Sequence, residues 1–289
     1  MRRGRAVTSA APQPTTIDRL LERYEALLMD AWGVLITDAG PLPGAVALVD
    51  HLVRTGHPFR ILSNSASRSR EESVGNLVRH GLAIAPEHVL PSIALLGPLF
   101  SEEELIGARC AVLGPAGSVE EVRRAGGVVL DPPYEEVEVA VVCDESGYPF
   151  VPTVDSVVNA VIRQVERGSS VRLVVANPDL FYPVARDRIG LTTGTVALVI
   201  GTLLRHRLGP AAPDWILLGK PERRLFDVAC EALGTRNAVM VGDQLETDVL
   251  GAHNAGLDSA LVATGLVRAR EVEDWPGPAP TWLLSDLRV

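Results

Sequence analysis

The feature that most limits what this chain can become is a rhythm. Short apolar runs of strand length alternate with amphipathic segments of helix length, once towards the N-terminus and again towards the C-terminus. In the first block "ALLMDAW" breaks into polar residues and glycine. "GAVALVDHLVRTGH" follows as a helix closed at Gly56, then "PFRILSNSA" as a second buried strand and "SREESVGNLVRHGL" as a second helix. The later block repeats the pattern with "DWILLGKP", "ERRLFDVACEALG", "AVMVGDQ" and "TDVLGAHNAG". Strands separated by helices predict a parallel sheet covered by helices. Between the blocks lies a segment with strands of its own, "ARCAVLG", "VEVAVVCDE" and "SVRLVVANPD". The expected fold class is therefore α/β: a parallel-sheet core over residues 17–85 and 214–289, an inserted α/β domain over 86–213, and a disordered basic tail over 1–16. With 289 residues and 47% apolar content, the chain can supply a core to each domain.

Polar groups gather where the apolar runs end. Asp30 closes the first strand, Ser63 and Asn64 the second, Lys220 follows "WILLG", and Asp243 follows "AVMVG" with Asp248 five residues on. If all four strands lie in one parallel sheet, their C-terminal ends share an edge, and open α/β sheets bind ligands at that edge. The residue types suit phosphoryl transfer. A carboxylate at Asp30 can attack phosphorus and split one hard displacement into two easier ones. Asp243 and Asp248 are hard oxygen donors for Mg2+, Lys220 offsets the gathered negative charge, and Ser63 can hydrogen-bond phosphoryl oxygens.

Charge and composition exclude several classes. A net charge of −9 argues against a nucleic-acid binder, which needs a concentrated basic surface. The longest apolar stretch, "GTVALVIGTLL", is about half of what a membrane span requires. Cys110, Cys143 and Cys230 have neither metal-ligand spacing nor an even count for a disulfide framework. The Arg-containing N-terminus has no apolar stretch of the kind a secretion signal carries, so a cytoplasmic location is expected.

Taken in order, Asp-x-x-Gly-Val, Ser-Asn, Gly-Lys-Pro and Gly-Asp-x-x-x-x-Asp resemble the four motifs of the haloacid dehalogenase (HAD) superfamily. "PLPGA", "ANPD" and "GKPERRLFDVACEALG" add likeness to its class IIA, the NagD and p-nitrophenylphosphatase branch. The resemblance spans about residues 20–289. It implies a Rossmann-like core, an inserted cap, Mg2+, and hydrolysis of a small phosphorylated metabolite through an aspartyl-phosphate. By position, it makes Asp30 the nucleophile and Lys220 its charge partner, with Ser63 and Asn64 on the phosphate. The metal ligands would be Asp30, the backbone carbonyl of Trp32, Asp243 and Asp248. Asn177 and Asp179 fall where caps of the class reach the substrate, although turn chemistry explains Asn-Pro-Asp equally well. Class IIA caps often pair, so a homodimer is compatible with the resemblance.

The chain departs from the pattern at Trp32. Phosphatases of the superfamily mostly carry Asp there, which protonates the leaving oxygen and then activates water. Indole offers only a non-acidic N–H. General acid–base help is typically worth about 10²- to 10⁴-fold, so its loss slows catalysis without abolishing it. Two alternatives stay open beside the phosphatase: a weakly active or inactive protein that binds a phosphorylated ligand, and an aspartyl-ester chemistry such as dehalogenation or phosphotransfer.

Overall fold

A computed structural model describes residues 11–37, 39–185, 188–262, 272 and 274–289. It divides into two compact units. The first comprises Met1–Leu62, Val74–Val89 and Pro221–Val289, the second Ser63–Ser73 and Leu90–Lys220.

The first unit is built on a seven-stranded sheet. Its strands are β1 (Gln13–Thr15), β2 (Ala26–Asp30), β5 (Phe59–Ser63), β6 (Val89–Pro91), β14 (Ala238–Gly242), β15 (Asp258–Val262) and β16 (Trp282–Leu284). A two-residue hairpin, β3 (Ile36–Thr37) with β4 (Gly40–Pro41), follows β2. Across the sheet the order is β1-β16-β15-β14-β2-β5-β6, and β2 runs parallel to both β14 and β5. The chain thus moves away from β2 on one side first and returns on the other later. That reversal makes the β2/β14 boundary the place where open α/β sheets bind ligands. All five residues of β2 and of β14 are buried, as expected of central strands covered on both faces. Leu27, Met29, Val239 and Val241 pack with Leu48, Val49 and Leu52 of helix α2 (Ala45–Thr55).

Residues 13–15, expected to lie in the disordered tail, instead form the edge strand β1. Gln13 pairs with Trp282 and its N–H donates to the Thr281 carbonyl at 3.1 Å. The open side of β16 satisfies an extended backbone there, and an edge tolerates Pro14. Of the rest of the expected tail, residues 1–10 lie outside the described residues, and Thr16 caps the helix Ile17–Arg23.

The second unit has its own parallel sheet: β7 (Arg109–Leu113), β8 (Val128–Val129), β9 (Val139–Val142), β10 (Arg172–Val175) and β13 (Trp215–Leu217), in the order β13-β10-β9-β7-β8. A separate hairpin joins β11 (Phe181–Ala185) to β12 (Arg188–Leu191). Helices α6 (Phe150–Glu166) and α7 (Thr193–Leu208) supply Val157, Val161, Val196 and Ile200 to a core shared with Ala140, Val142, Leu173 and Val175. The strand expected to start the C-terminal half of the first domain, β13, belongs here. Leu173 pairs with Trp215 and Val175 with Leu217. Its apolar run reads the same in either sheet, and only the partner strand decides membership. No helix among the described residues is long and apolar enough to cross a membrane.

Candidate active site

Asp30 is the first polar residue after four buried apolar positions of β2, and it pairs in register with Leu62, one residue before the end of β5 at Ser63. On the other side of β2, β14 ends at Gly242 and Asp243 follows at once. Asp248 comes from a single π-type turn, Leu245–Val249. One carboxylate oxygen each from Asp30, Asp243 and Asp248 lies within 4.8 Å of the others, and all three residues are buried, at 6%, 0% and 0% exposure. Strand order thus brings together the carboxylates of two motifs more than 200 residues apart.

Three hydrogen bonds and two close glycine approaches hold this geometry. The Ala31 N–H donates to Asp30 Oδ1 at 2.8 Å. Asp248 Oδ2 accepts from the N–H groups of Asp243 at 3.1 Å and Gln244 at 3.2 Å, so Asp248 shapes the turn that carries Asp243. Gly33, at φ +87°, brings its backbone against Asp243, where a Cβ would overlap the carboxylate. Gly242 stands in the same relation to Asp248. These two glycines were absent from the expected ligand set. Their signal in the sequence is their place within Asp-x-x-Gly and Gly-Asp, where backbone has to approach a carboxylate closely.

Three buried carboxylates at this spacing repel one another unless a cation offsets their charge. Hard oxygen donors clustered in this way suit a divalent metal ion. Trp32 follows Asp30 on a tight loop in which Leu35 N–H and Ile36 N–H both donate to the Ala31 carbonyl at 3.0 Å, and Gly33 N–H to the Ile36 carbonyl at 2.9 Å. Trp32 is 39% exposed.

The remaining expected residues lie in the second unit. Lys220 is 2% exposed and follows β13, so it does not arrive on the sheet that carries Asp30 and Asp243. Its backbone is clamped by one side chain. Asn64 Oδ1 accepts from Lys220 N–H at 2.7 Å, and Asn64 Nδ2 donates to the Lys220 carbonyl at 3.0 Å and to Asp179 Oδ1 at 2.9 Å. Both N–H bonds of the amide are thereby used, so the Asn64 side chain positions Lys220 and Asp179 and is not a ready phosphate donor. Gly219 lets this clamp close: a Cβ there would sit 2.6 Å from Asn64 Oδ1 and from Pro178.

Ser63 is half-buried, and its Oγ accepts from Ser65 N–H at 3.2 Å. Asn177 Oδ1 accepts from Asp179 N–H at 2.9 Å, the side-chain turn that Asn-Pro-Asp favours, and its Nδ2 reaches Thr192 Oγ1 at 3.4 Å. The Gly194 N–H at the start of α7 donates to the Asp179 carbonyl at 2.9 Å. The "ANPD" and "GLTTG" stretches therefore brace each other.

Comparison with known proteins agrees with the motif order. A family model described as haloacid dehalogenase-like hydrolase matches residues 27–127, and a HAD-hydrolase-like model matches 217–289. A glycerol-3-phosphate phosphatase of Gallus gallus is 29% identical over 285 residues, covering 95% of this chain and 91% of its own. The crystal structure of a possible sugar phosphatase of the HAD superfamily from Cytophaga hutchinsonii superposes with a TM-score of 0.81 at 29% identity, over 96% of this chain and 99% of that one. A p-nitrophenyl phosphatase from Archaeoglobus fulgidus gives 0.77 at 26% identity, over 91% and 97%. Carboxylates at the strand-order reversal, two family models matching in sequence order, and likeness along nearly the whole length lead to one conclusion: the chain belongs to the haloacid dehalogenase superfamily of hydrolases, in its class IIA branch.

Proposed function

We propose that the protein is a Mg2+-dependent phosphatase that hydrolyses a small phosphorylated metabolite through an aspartyl-phosphate on Asp30. The observation that carries this reading is the buried cluster of Asp30, Asp243 and Asp248 where the strand order reverses. Superfamily membership and the phosphatase relatives support it.

Asp30 Oδ attacks phosphorus and the bond to the leaving oxygen breaks. Water then attacks the phosphorus of the aspartyl-phosphate, releasing phosphate and restoring the carboxylate. Asp30, Asp243, Asp248 and the Trp32 carbonyl would hold Mg2+. When bound, that ion supplies charge stabilisation at the phosphoryl oxygens. By motif position, the Ser63 hydroxyl hydrogen-bonds the transferring group and Lys220 offsets negative charge. Asn64, Asn177 and Asp179 are assigned to holding Lys220 and the 177–180 loop, an assignment supported by their hydrogen bonds. In this reading the flanking blocks are the catalytic core and the inserted block is a cap. The cytoplasm is the proposed compartment, supported by three free, buried cysteines. A homodimer paired through caps belongs to the same reading.

The test is phosphate release from glycerol phosphate, sugar phosphates and p-nitrophenyl phosphate, with and without Mg2+, alongside Asp30→Asn. Metal-dependent release that falls to background in Asp30→Asn is expected. Release that is undiminished by the substitution would sink the proposal. Trp32 favours a second reading, a ligand-binding protein with slow turnover, and the same assay separates the two by rate.

A further inference from the structure

The position two residues beyond Asp30 bears on which phosphates the protein can use, given the phosphatase reading above. No side chain from Ala31 to Thr37 is ionisable. The loop's backbone hydrogen bonds fix Trp32 at its place, so a neighbouring residue does not slide into it. Gly33 is pressed against Asp243, which stops the loop from settling closer. The other carboxylates gathered at the strand ends are committed: Asp248 Oδ2 accepts two backbone N–H groups, and Asp243 is fully buried within the cluster. A proton donor for the leaving oxygen is therefore not built into this loop or this cluster.

We infer that the protein is selective for activated phosphates, meaning acyl phosphates, phosphoanhydrides and aryl or enol phosphates, whose leaving group departs as a stable anion without being protonated. In the first step the Asp30 oxygen forms its bond to phosphorus, the phosphorus–oxygen bond of the substrate breaks, and the electron pair stays on the departing oxygen. For an acyl phosphate the departing group is a carboxylate, with a conjugate-acid pKa of about 4, and for an aryl phosphate a phenolate, with one of about 10. An alkyl phosphate has to expel an alkoxide, nearly as basic as hydroxide from water at about 16. General acid catalysis matters most for that last case, because its benefit follows Brønsted behaviour. The exposed indole adds a flat apolar face two residues from Asp30, a surface suited to a planar leaving group.

The same gap affects the second step. Water attacks the aspartyl-phosphate, the bond from phosphorus to Asp30 breaks, and the water's proton passes to solvent or to the departing phosphate. Without a side chain of this loop or cluster to take that proton, phosphoenzyme builds up during turnover.

The experiment is a series with Mg2+ and the full-length protein: acetyl phosphate, p-nitrophenyl phosphate, phenyl phosphate and glycerol phosphate. The readout is kcat/KM, which reports the first displacement, and phosphoenzyme is followed by intact mass. A steep fall in kcat/KM with leaving-group pKa is expected, with phosphorylated protein visible on acetyl phosphate. Trp32→Asp should flatten the fall, gaining roughly 10²- to 10⁴-fold on glycerol phosphate and little on acetyl phosphate. The wild-type slope and the intact mass stand even where that variant folds badly. A flat profile in the wild type, or a folded Trp32→Asp with an unchanged slope, overturns this inference alone. Asp38, the next acid along the chain, lies outside the described residues, and glycerol phosphate turnover lost specifically in Asp38→Asn would overturn it too. No turnover of any member above Asp30→Asn would instead overturn the phosphatase reading beneath it.

Discussion

Gly33 carries more of the site than its lack of a side chain suggests. Its φ of +87° is one that L side chains adopt rarely, and a Cβ would overlap the Asp243 carboxylate. Gly33→Ala therefore combines backbone strain of about 1–3 kcal/mol with displacement of a proposed metal ligand. A lower unfolding temperature and a higher Mg2+ concentration for half-maximal turnover are expected from calorimetry and a metal titration. An unchanged metal requirement would show that the close approach has no bearing on the ion. At this scale the sequence was legible where chemistry and position coincide. Asp30, Asp243 and Asp248 could be read from polar groups at the ends of apolar runs, and they do meet. The partners of the Asn64 amide could not be read, because they lie 115 and 156 residues away.

At the scale of elements, β5 has two histidines at its base. His57 precedes it, with a buried Nε2 that has no hydrogen-bond partner among the described residues, and the His88 ring stacks on Phe59 with centroids 4.5 Å apart. Burial is the main cause that holds both imidazoles below their usual 6.5; charge on His51 adds to it at His57, while at His88 Glu87 opposes it and Arg60 adds to it. The unfolded chain thus binds more protons than the folded one once pH drops below about 6.5, and stability falls as pH falls. Denaturant titrations should show the unfolding free energy declining from about pH 6.5 downward, and His57→Gln with His88→Gln should flatten that part of the curve. An unaltered slope in the double variant would assign the acid sensitivity elsewhere. Element type was legible throughout this region because periodicity is a local property. Sheet membership was not: β13 and β1 gained their places from pairing partners far along the chain.

For the whole molecule, each of the two large sheets has a core of its own. Cys230 reports on the first unit, while Cys110 and Cys143 report on the second, and all three are buried. Burial pushes every one of these thiols up, Cys110 to about 12. Little thiolate is then available to a labelling reagent in the native state. Pulsed alkylation across a denaturant gradient should label Cys110 and Cys143 together and Cys230 at a separate midpoint. Coincident midpoints for all three would mean that the two cores melt as one cooperative body.

The pairing of β13 with β10 also decides where this protein can be cut and recombined. A chimaera that exchanges residues 86–213 with those of a relative would leave Trp215–Leu217 to dock on a foreign strand. Its last strand would then be inherited from one parent and the surface it must match from the other. Moving the downstream junction beyond Lys220, and carrying Ser63–Ser73 along with the transplanted block, keeps the β10–β13 register and the Asn64 clamp within one lineage. Recombination libraries built on that junction should retain folded members where those cut at 213 lose them.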